Sequence, residues 1–258
     1  MNKGLLERSN EGTLQGGLLS PLLNNIMLNE LDKELECRRL PFVRYADDSM
    51  IFSKYQRAAR RVKESITRFI EETLYLQVNK EKTVVSYVQG VKYLGYSFYV
   101  MKGKCRLTVH PKPKAKMKSR LKELTNRNNG WGYVKKKQKL KEYIRGWIGY
   151  YHLADMKHFL LDTEEWLRRR IRMCIWKAWK NPKTKVVNLI KCGIEKYKAC
   201  EWGNTRKGYW RISDSPILTV AINNDSLRRA GYPTLMGLYL EWHPKIGTAV
   251  CRTACTVV

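Results

Sequence analysis

An α+β fold is predicted: an antiparallel sheet with helices on one face, followed by a wholly helical and strongly basic region. Three observations carry it. Apolar residues recur at helical spacing on both sides of residues 42–52. That stretch is itself rich in β-branched and aromatic residues around a tight turn. Beyond residue 110 the composition shifts abruptly toward lysine and arginine.

In chain order, Gly12-Thr13-Leu14-Gln15-Gly16-Gly17 reads as a glycine-punctuated loop. It feeds Ser20-Pro21, an N-cap followed by proline at the first helical position. Leu23, Met27, Leu31 and Leu35 recur every four residues and predict a helix to about Cys37. Phe42-Val43-Arg44 and Ser49-Met50-Ile51-Phe52 then bracket Tyr45-Ala46-Asp47-Asp48 as strands bracket a turn. A second helix is predicted over 56–74, with Val62, Ile66, Phe69, Ile70 and Leu74 on one face. Strands are predicted near 91–99 and 105–109. His110-Pro111-Lys112-Pro113 marks a boundary, because paired prolines break both helix and sheet. Three helical patterns follow: Met117, Leu121, Leu124; Leu140, Ile144, Trp147, Ile148, Tyr151; and Leu167, Ile171, Ile175, Ala178. The predicted division is a sheet-bearing region over 1–109, a helical region over 110–240 and a tail over 241–258.

Charge narrows the function. Lys+Arg number 50 against 23 Asp+Glu, a formal net charge of +27. A surplus of that size is an electrostatic footprint for a polyanion. Residues 112–145 alone hold 13 basic and 2 acidic residues. Ordinary solvated faces mix both signs, whereas here and at Arg168, Arg169, Arg170 and Arg172 the charge is one-sided and interleaved with Trp and Tyr. That pattern suits phosphate contacts and base stacking on structured RNA. No apolar run approaches the roughly 18 residues of a membrane span, so no membrane partner is expected. The first residues show no signal-peptide core. The seven cysteines are scattered without a C-x-x-C pair, which argues against zinc and for a reducing compartment.

Asp47 and Asp48 are the candidate chemical centre. Adjacent carboxylates repel each other, and an apolar hairpin has little structural need for both. A divalent metal resolves the conflict, since Mg²⁺ takes hard oxygen ligands. The competing reading is a solvated turn, for which Asp is a favoured residue.

The order of these strings resembles the reverse transcriptase/maturases encoded by group II introns. The Gln15-Gly16-Gly17 loop, Ser20-Pro21-Leu22-Leu23, the Tyr45-Ala46-Asp47-Asp48 hairpin, Asn79-Lys80-Glu81-Lys82-Thr83 and Tyr93-Leu94-Gly95-Tyr96 are similar to the palm. Arg145-Gly146-Trp147-Ile148-Gly149-Tyr150-Tyr151 and Trp166-Leu167-Arg168-Arg169-Arg170 are similar to the thumb, or maturase domain. The resemblance implies a partial palm over 1–109 and a helical, RNA-binding thumb/maturase domain over 110–240. It implies RNA-directed DNA polymerase chemistry on two Mg²⁺ ions, with intron RNA, an RNA template, a DNA primer and dNTPs as partners. It also implies splicing assistance and retrohoming.

Residue by residue, the resemblance makes Asp47 and Asp48 metal ligands and Lys82 the cation near the leaving pyrophosphate. Gln15, Gly16, Gly17, Tyr45 and Ala46 would line the nucleotide and template pocket, where Gly16 and Gly17 allow close backbone approach. Tyr93, Leu94 and Gly95 would belong to the hairpin that grips the primer end. Lys112, Lys114, Lys116, Lys118, Arg120, Arg145, Arg168, Arg169 and Arg172 would contact RNA. Leu14 stands where the family usually has proline, and Asn24 where it usually has a small residue. The family's third aspartate and fingers lie upstream of the Gln-Gly-Gly loop, and no aspartate precedes Asp32 here. The expectation is therefore the C-terminal part of such a protein, with an incomplete metal site and an N-terminal fragment as a possible partner in trans. A non-catalytic RNA-binding splicing cofactor, or an inactive remnant, is the alternative. A bacterial cytoplasm or an organelle is the expected compartment.

Overall fold

Apolar residues at alternate positions of one strand build two separate clusters, and the first half of the chain is organised around that strand. The computed structural model describes residues 17–243 and the backbone of 255–257. The elements run α1 (Ser20–Cys37), β1 (Phe42–Tyr45), β2 (Asp48–Ser53), α2 (Gln56–Glu72), β3 (Val85–Tyr87), β4 (Lys92–Tyr93), β5 (Tyr96–Met101) and β6 (Lys104–Val109). Then come α3 (Pro111–Leu124), α4 (Tyr133–Tyr151), α5 (Lys157–Ala178), α6 (Pro182–Lys191), α7 (Lys196–Gly203) and α8 (Tyr209–Ile212). The last are α9 (Pro216–Ala221), α10 (Asn224–Arg229), α11 (Leu235–Trp242) and β7 (Cys255–Val257). Two compact units result, one up to Cys105 together with β7, the other from Arg106 onward. The fold is α+β.

In the first unit the strands run in the order β1-β2-β7-β3, all antiparallel. On β2, Ile51 points to one face and joins Leu28, Leu31 and Leu35 of α1 with Ala59 and Ile66 of α2. Its neighbours Met50 and Phe52 point to the other face and meet Val91, Tyr93, Leu94 and Phe98. This is the period-two alternation of a strand covered on both sides.

Three expectations are corrected here. Leu23 and Met27 are 50% and 46% exposed, and Leu28 is buried in their place. A repeat of four drifts around a helix whose period is 3.6, so only its last members, Leu31 and Leu35, stay on the core face. The strand predicted over 91–99 is a hairpin, β4 and β5 paired as Lys92↔Ser97 and Tyr93↔Tyr96. Its loop residues Leu94 and Gly95 both have positive φ, at 49° and 81°, the type I′ pattern. Leucine pays a steric cost there, which its packing against the Met50 cluster offsets. Finally, Pro111 and Pro113 do not end regular structure but open α3. His110 is the N-cap and its side chain accepts from the Lys112 N–H at 3.2 Å. A proline in the first turn lacks only an N–H that has no helical partner anyway.

The second unit is helical. Met117, Leu121 and Leu124 of α3 are buried, as are Leu140, Ile144 and Ile148 of α4 and Leu160, Leu167 and Ile171 of α5. Tyr239 of α11 is fully buried and its hydroxyl donates to the Ala154 carbonyl at 2.9 Å. At the end of α3 the Cys174 thiol donates to the Thr125 carbonyl at 3.2 Å and is 8% exposed. Gly149 brings α4 close to α11: a Cβ there would lie 2.7 Å from the Trp242 ring. No helix among the described residues is long and apolar enough to cross a membrane.

Candidate active site and nucleic-acid interface

The turn between β1 and β2 has two loop residues, Ala46 and Asp47, closed by the Tyr45↔Asp48 pair. Ala46 has φ 53° and Asp47 is not among the positive-φ residues, the pattern of a type II′ turn. Glycine is the usual occupant of the first position, so Ala46 carries strain of about 1–2 kcal/mol. Arg44 supplies the compensation. Its Nη1 donates to the Ala46 carbonyl at 3.0 Å and to Asn25 Oδ1 of α1 at 3.0 Å. Its Nε and Nη2 hold the two oxygens of Asp32, also on α1. The hydrogen bonds to Asp32 raise the guanidinium's pKa further.

Asp47 and Asp48 are both exposed. Neither carboxylate has an ion pair or a side-chain hydrogen bond among the described residues. Tyr45 is 65% exposed beside them. From the other side of β2, the Tyr93 hydroxyl donates to the Asp48 carbonyl at 3.4 Å. Burial pushes the Tyr93 pKa up and the Asp48 charge adds to it, so the phenol stays a donor. The structure thus brings Tyr45, Ala46, Asp47, Asp48 and the Tyr93-Leu94-Gly95 turn together. Lys82 sits in a separate exposed turn that Asn79 organises, accepting from the N–H groups of Glu81 and Lys82 at 3.1 Å. Lys63 of α2 ties that turn down by donating to the Thr83 carbonyl at 2.6 Å. Gly17 precedes α1, while Gln15 and Gly16 lie outside the described residues. Arg44, Asp32 and Asn25 were missed as site residues. The available signal was a lone arginine in an otherwise apolar strand next to the acidic pair.

As donors, Asp47 and Asp48 suit a hard cation: two oxygen ligands at a fixed tip, held by no other charge. Among the described residues no group of three or more His, Cys, Asp or Glu side chains is placed to hold a metal. The fit is that of part of a ligand set.

The arginines of α5 are a correction. Arg168 and Arg172 are only 7% and 8% exposed. Arg168 pairs with Glu164 one turn earlier and donates to the Asn224 carbonyl at 3.3 Å. Arg172 donates to the Ile222 carbonyl and to Asn224 Oδ1, each at 2.8 Å. Arg169 lies 3.9 Å over the Trp210 ring and pairs with Asp214 at 3.1 Å. These guanidiniums fasten α5 to the segments that follow it; Arg168 and Arg172 are buried in doing so, while Arg169 stays partly exposed.

The lysines of α3 behave differently. Lys112, Lys116, Lys118 and Arg120 are exposed. Lys112 and Lys116 have no ion pair among the described residues, and Arg120 pairs with Glu123 at 2.7 Å. Lys114 and Lys118 lie 5.5 and 5.6 Å from the centre of the Phe159 ring. Burial lowers the Lys114 pKa. On α4, Arg145 is exposed and stacks 5.6 Å from the Trp242 ring.

Residues 6–98 match the family described as reverse transcriptase (RNA-dependent DNA polymerase). Residues 114–193 match the maturase-specific domain of group II introns. Among curated proteins, Protein YkfC of Escherichia coli (strain K12) is 30% identical, with 36% of this chain and 34% of that protein covered. The chain thus spans about a third of the length of the curated relative it matches.

Proposed function

Because the chain belongs to the group II intron reverse transcriptase/maturase family, we propose that it serves RNA-directed DNA synthesis at Asp47 and Asp48 and holds intron RNA on its helical unit. In this reading the first unit is a palm and the second a thumb/maturase domain. The observation that carries it is the pair of exposed, unpartnered carboxylates on a clamped turn, in a chain of net charge +27.

Bound Mg²⁺ would activate a primer 3′-hydroxyl and stabilise the leaving pyrophosphate. Asp47 would be its principal ligand, with Asp48 beside it. Arg44 fixes the height of the tip through the Ala46 carbonyl, and Tyr93 fixes it from below through the Asp48 carbonyl. Tyr93, Leu94 and Gly95 form the turn that bears on the primer end. Tyr45, Ala46, Gln15, Gly16 and Gly17 belong to the nucleotide and template pocket. Lys82 supplies positive charge toward the leaving group. Intron RNA is held by Lys112, Lys114, Lys116, Lys118, Arg120 and Arg145.

Primer extension on an RNA template with Mg²⁺ and dNTPs, with an N-terminal palm and fingers fragment of a family member added in trans to complete the ligand set, tests the catalytic half, with Asp47→Ala as the control. Extension that survives Asp47→Ala removes the assignment. A second reading, a splicing cofactor without catalysis, is favoured by the solvent-facing lysines of α3, which need no metal. Splicing of a group II intron that is accelerated equally by wild type and Asp47→Ala, with no extension by either, selects it.

A further inference from the structure

A cavity of about 560 Å³ opens between α4 and the start of α11. It is lined by Lys141 and Arg145 of α4, Tyr232 and Thr234 of the loop, and Glu241 and Trp242 of α11. The volume lies within the range of small-molecule sites. Lys141 and Arg145 are four residues apart on a helix, so both ammonium and guanidinium overhang the same side. Neither has an ion pair among the described residues, although the Glu241 carboxylate lines the same cavity. Trp242 is held in place: its ring lies against Gly149, where no side chain would fit, and Arg145 covers it at 5.6 Å. Tyr232 is 8% exposed, so the floor of the cavity is fixed.

We propose that this cavity captures one unstacked nucleotide of a single-stranded RNA segment, with its base against Trp242 and its phosphate between Lys141 and Arg145. The proposal rests on the RNA-binding reading of the helical unit and names a subsite within it. An indole face accepts any base once the exposed Arg145 guanidinium, which covers the ring in the unbound chain, turns off it toward the phosphate. Glu241 repels phosphate and confines the backbone to the α4 side. A duplex cannot enter, since its bases are stacked within the helix. The lysines of α3 line no such cavity and suit the phosphates of paired RNA.

The full chain is titrated with a stem-loop RNA, with a fully paired duplex of equal length, and with loop variants carrying one abasic position each, all across a salt series. One abasic position is expected to weaken wild-type binding about tenfold. That penalty is expected to vanish in Trp242→Ala and to persist in Trp242→Phe, which keeps the ring and guards against a folding defect. Lys141→Ala is expected to weaken loop binding several-fold and lower the salt slope by about 0.7 unit, with duplex binding nearly unchanged. Equal losses on loop and duplex, or insensitivity to every abasic position, overturn the proposal. Displacement of the loop by free AMP at micromolar concentration also overturns it and assigns the cavity to soluble nucleotides. If wild type binds no RNA in a salt-dependent way, the RNA-binding reading itself fails. If wild type binds and only the variants are silent, the subsite alone fails.

Discussion

Arg44 holds Asp32 with both prongs of its guanidinium, Nε on Oδ1 at 2.8 Å and Nη2 on Oδ2 at 2.5 Å. The side chains of the pair are 13% and 21% exposed, which sets it apart from the i,i+3 pairs on the surface. The same arginine donates to the Ala46 carbonyl, so a helix and the strained tip of a hairpin share one anchor. Lysine can supply the charge but not the fork.

Arg44→Lys is therefore expected to destabilise the first unit by about 2 kcal/mol, less than a fully buried pair would lose. Urea unfolding followed by far-UV signal measures this. Hydrogen exchange at Asp47 and Asp48 should rise in the same variant, more than at α2. Unchanged exchange at the tip would show that Arg44 does not hold it.

One helix offers a matched pair of substitutions. Gly146 on α4 has nothing within 4 Å of where a Cβ would sit, whereas a Cβ on Gly149 would meet Trp242 at 2.7 Å. Gly146→Ala is expected to stabilise by up to about 1 kcal/mol through helix propensity. Gly149→Ala should destabilise by about 1–2 kcal/mol, because the ring must move. Thermal unfolding midpoints moving in opposite directions are the expected result.

The basic residues should separate into two classes. Lys112→Ala and Lys116→Ala are expected to leave stability within about 0.5 kcal/mol. Each should reduce the slope of log affinity against log salt for structured RNA by about 0.9. Arg168→Ala should instead cost about 3 kcal/mol, since it leaves Glu164 largely buried without its partner. RNA titrations across a salt series, with urea melts of the same variants, distinguish the two.

Alkali should unfold the protein through its tyrosines. Burial raises the pKa of Tyr93, Tyr133, Tyr143, Tyr151 and Tyr232 above the ordinary value of 10.0. The folded chain then holds phenol protons that the unfolded chain releases. Their contribution is fully present below the unfolded pKa of about 10 and is lost as pH rises toward the folded values. Stability is expected to fall above about pH 10, and Tyr232→Phe should move that fall to higher pH. A midpoint that Tyr232→Phe leaves in place would exclude Tyr232 as a contributor.

The hairpin, both helices of the first unit and α3, α4 and α5 were legible because each shows its own period of apolar residues, whereas the shorter helices from Pro182 onward were not predicted. What escaped depends on three-dimensional company. A four-residue repeat cannot tell Leu23 from Leu35, since only packing reveals which of them faces Ile51. The residue pattern alone hid the turn at Leu94, which only the family resemblance marked as a hairpin, because leucine is an unusual residue for positive φ and the Met50 cluster that tolerates it is distant in sequence. The pairing of β7 between β2 and β3 joins residues about 200 positions apart, beyond any local signal. For the site, the acidic pair announced itself through its own repulsion, while its support by Arg44 needed the register of β1 against α1. The arginines of α5 misled because a charge run shows amount and not direction. Glu164, four residues before Arg168, was the clue that some of that charge is already matched.

The buried thiol of Cys174 makes the helical unit self-reporting. Burial raises its pKa, and its hydrogen is given to the Thr125 carbonyl, so thiolate is scarce where an alkylating reagent cannot reach. Cys37 and Cys200 are exposed and label at once. With the other six cysteines replaced by serine, the slow labelling that remains counts the excursions in which α3 and α5 part. Its rate, set against that of an exposed thiol, gives the free energy of that opening.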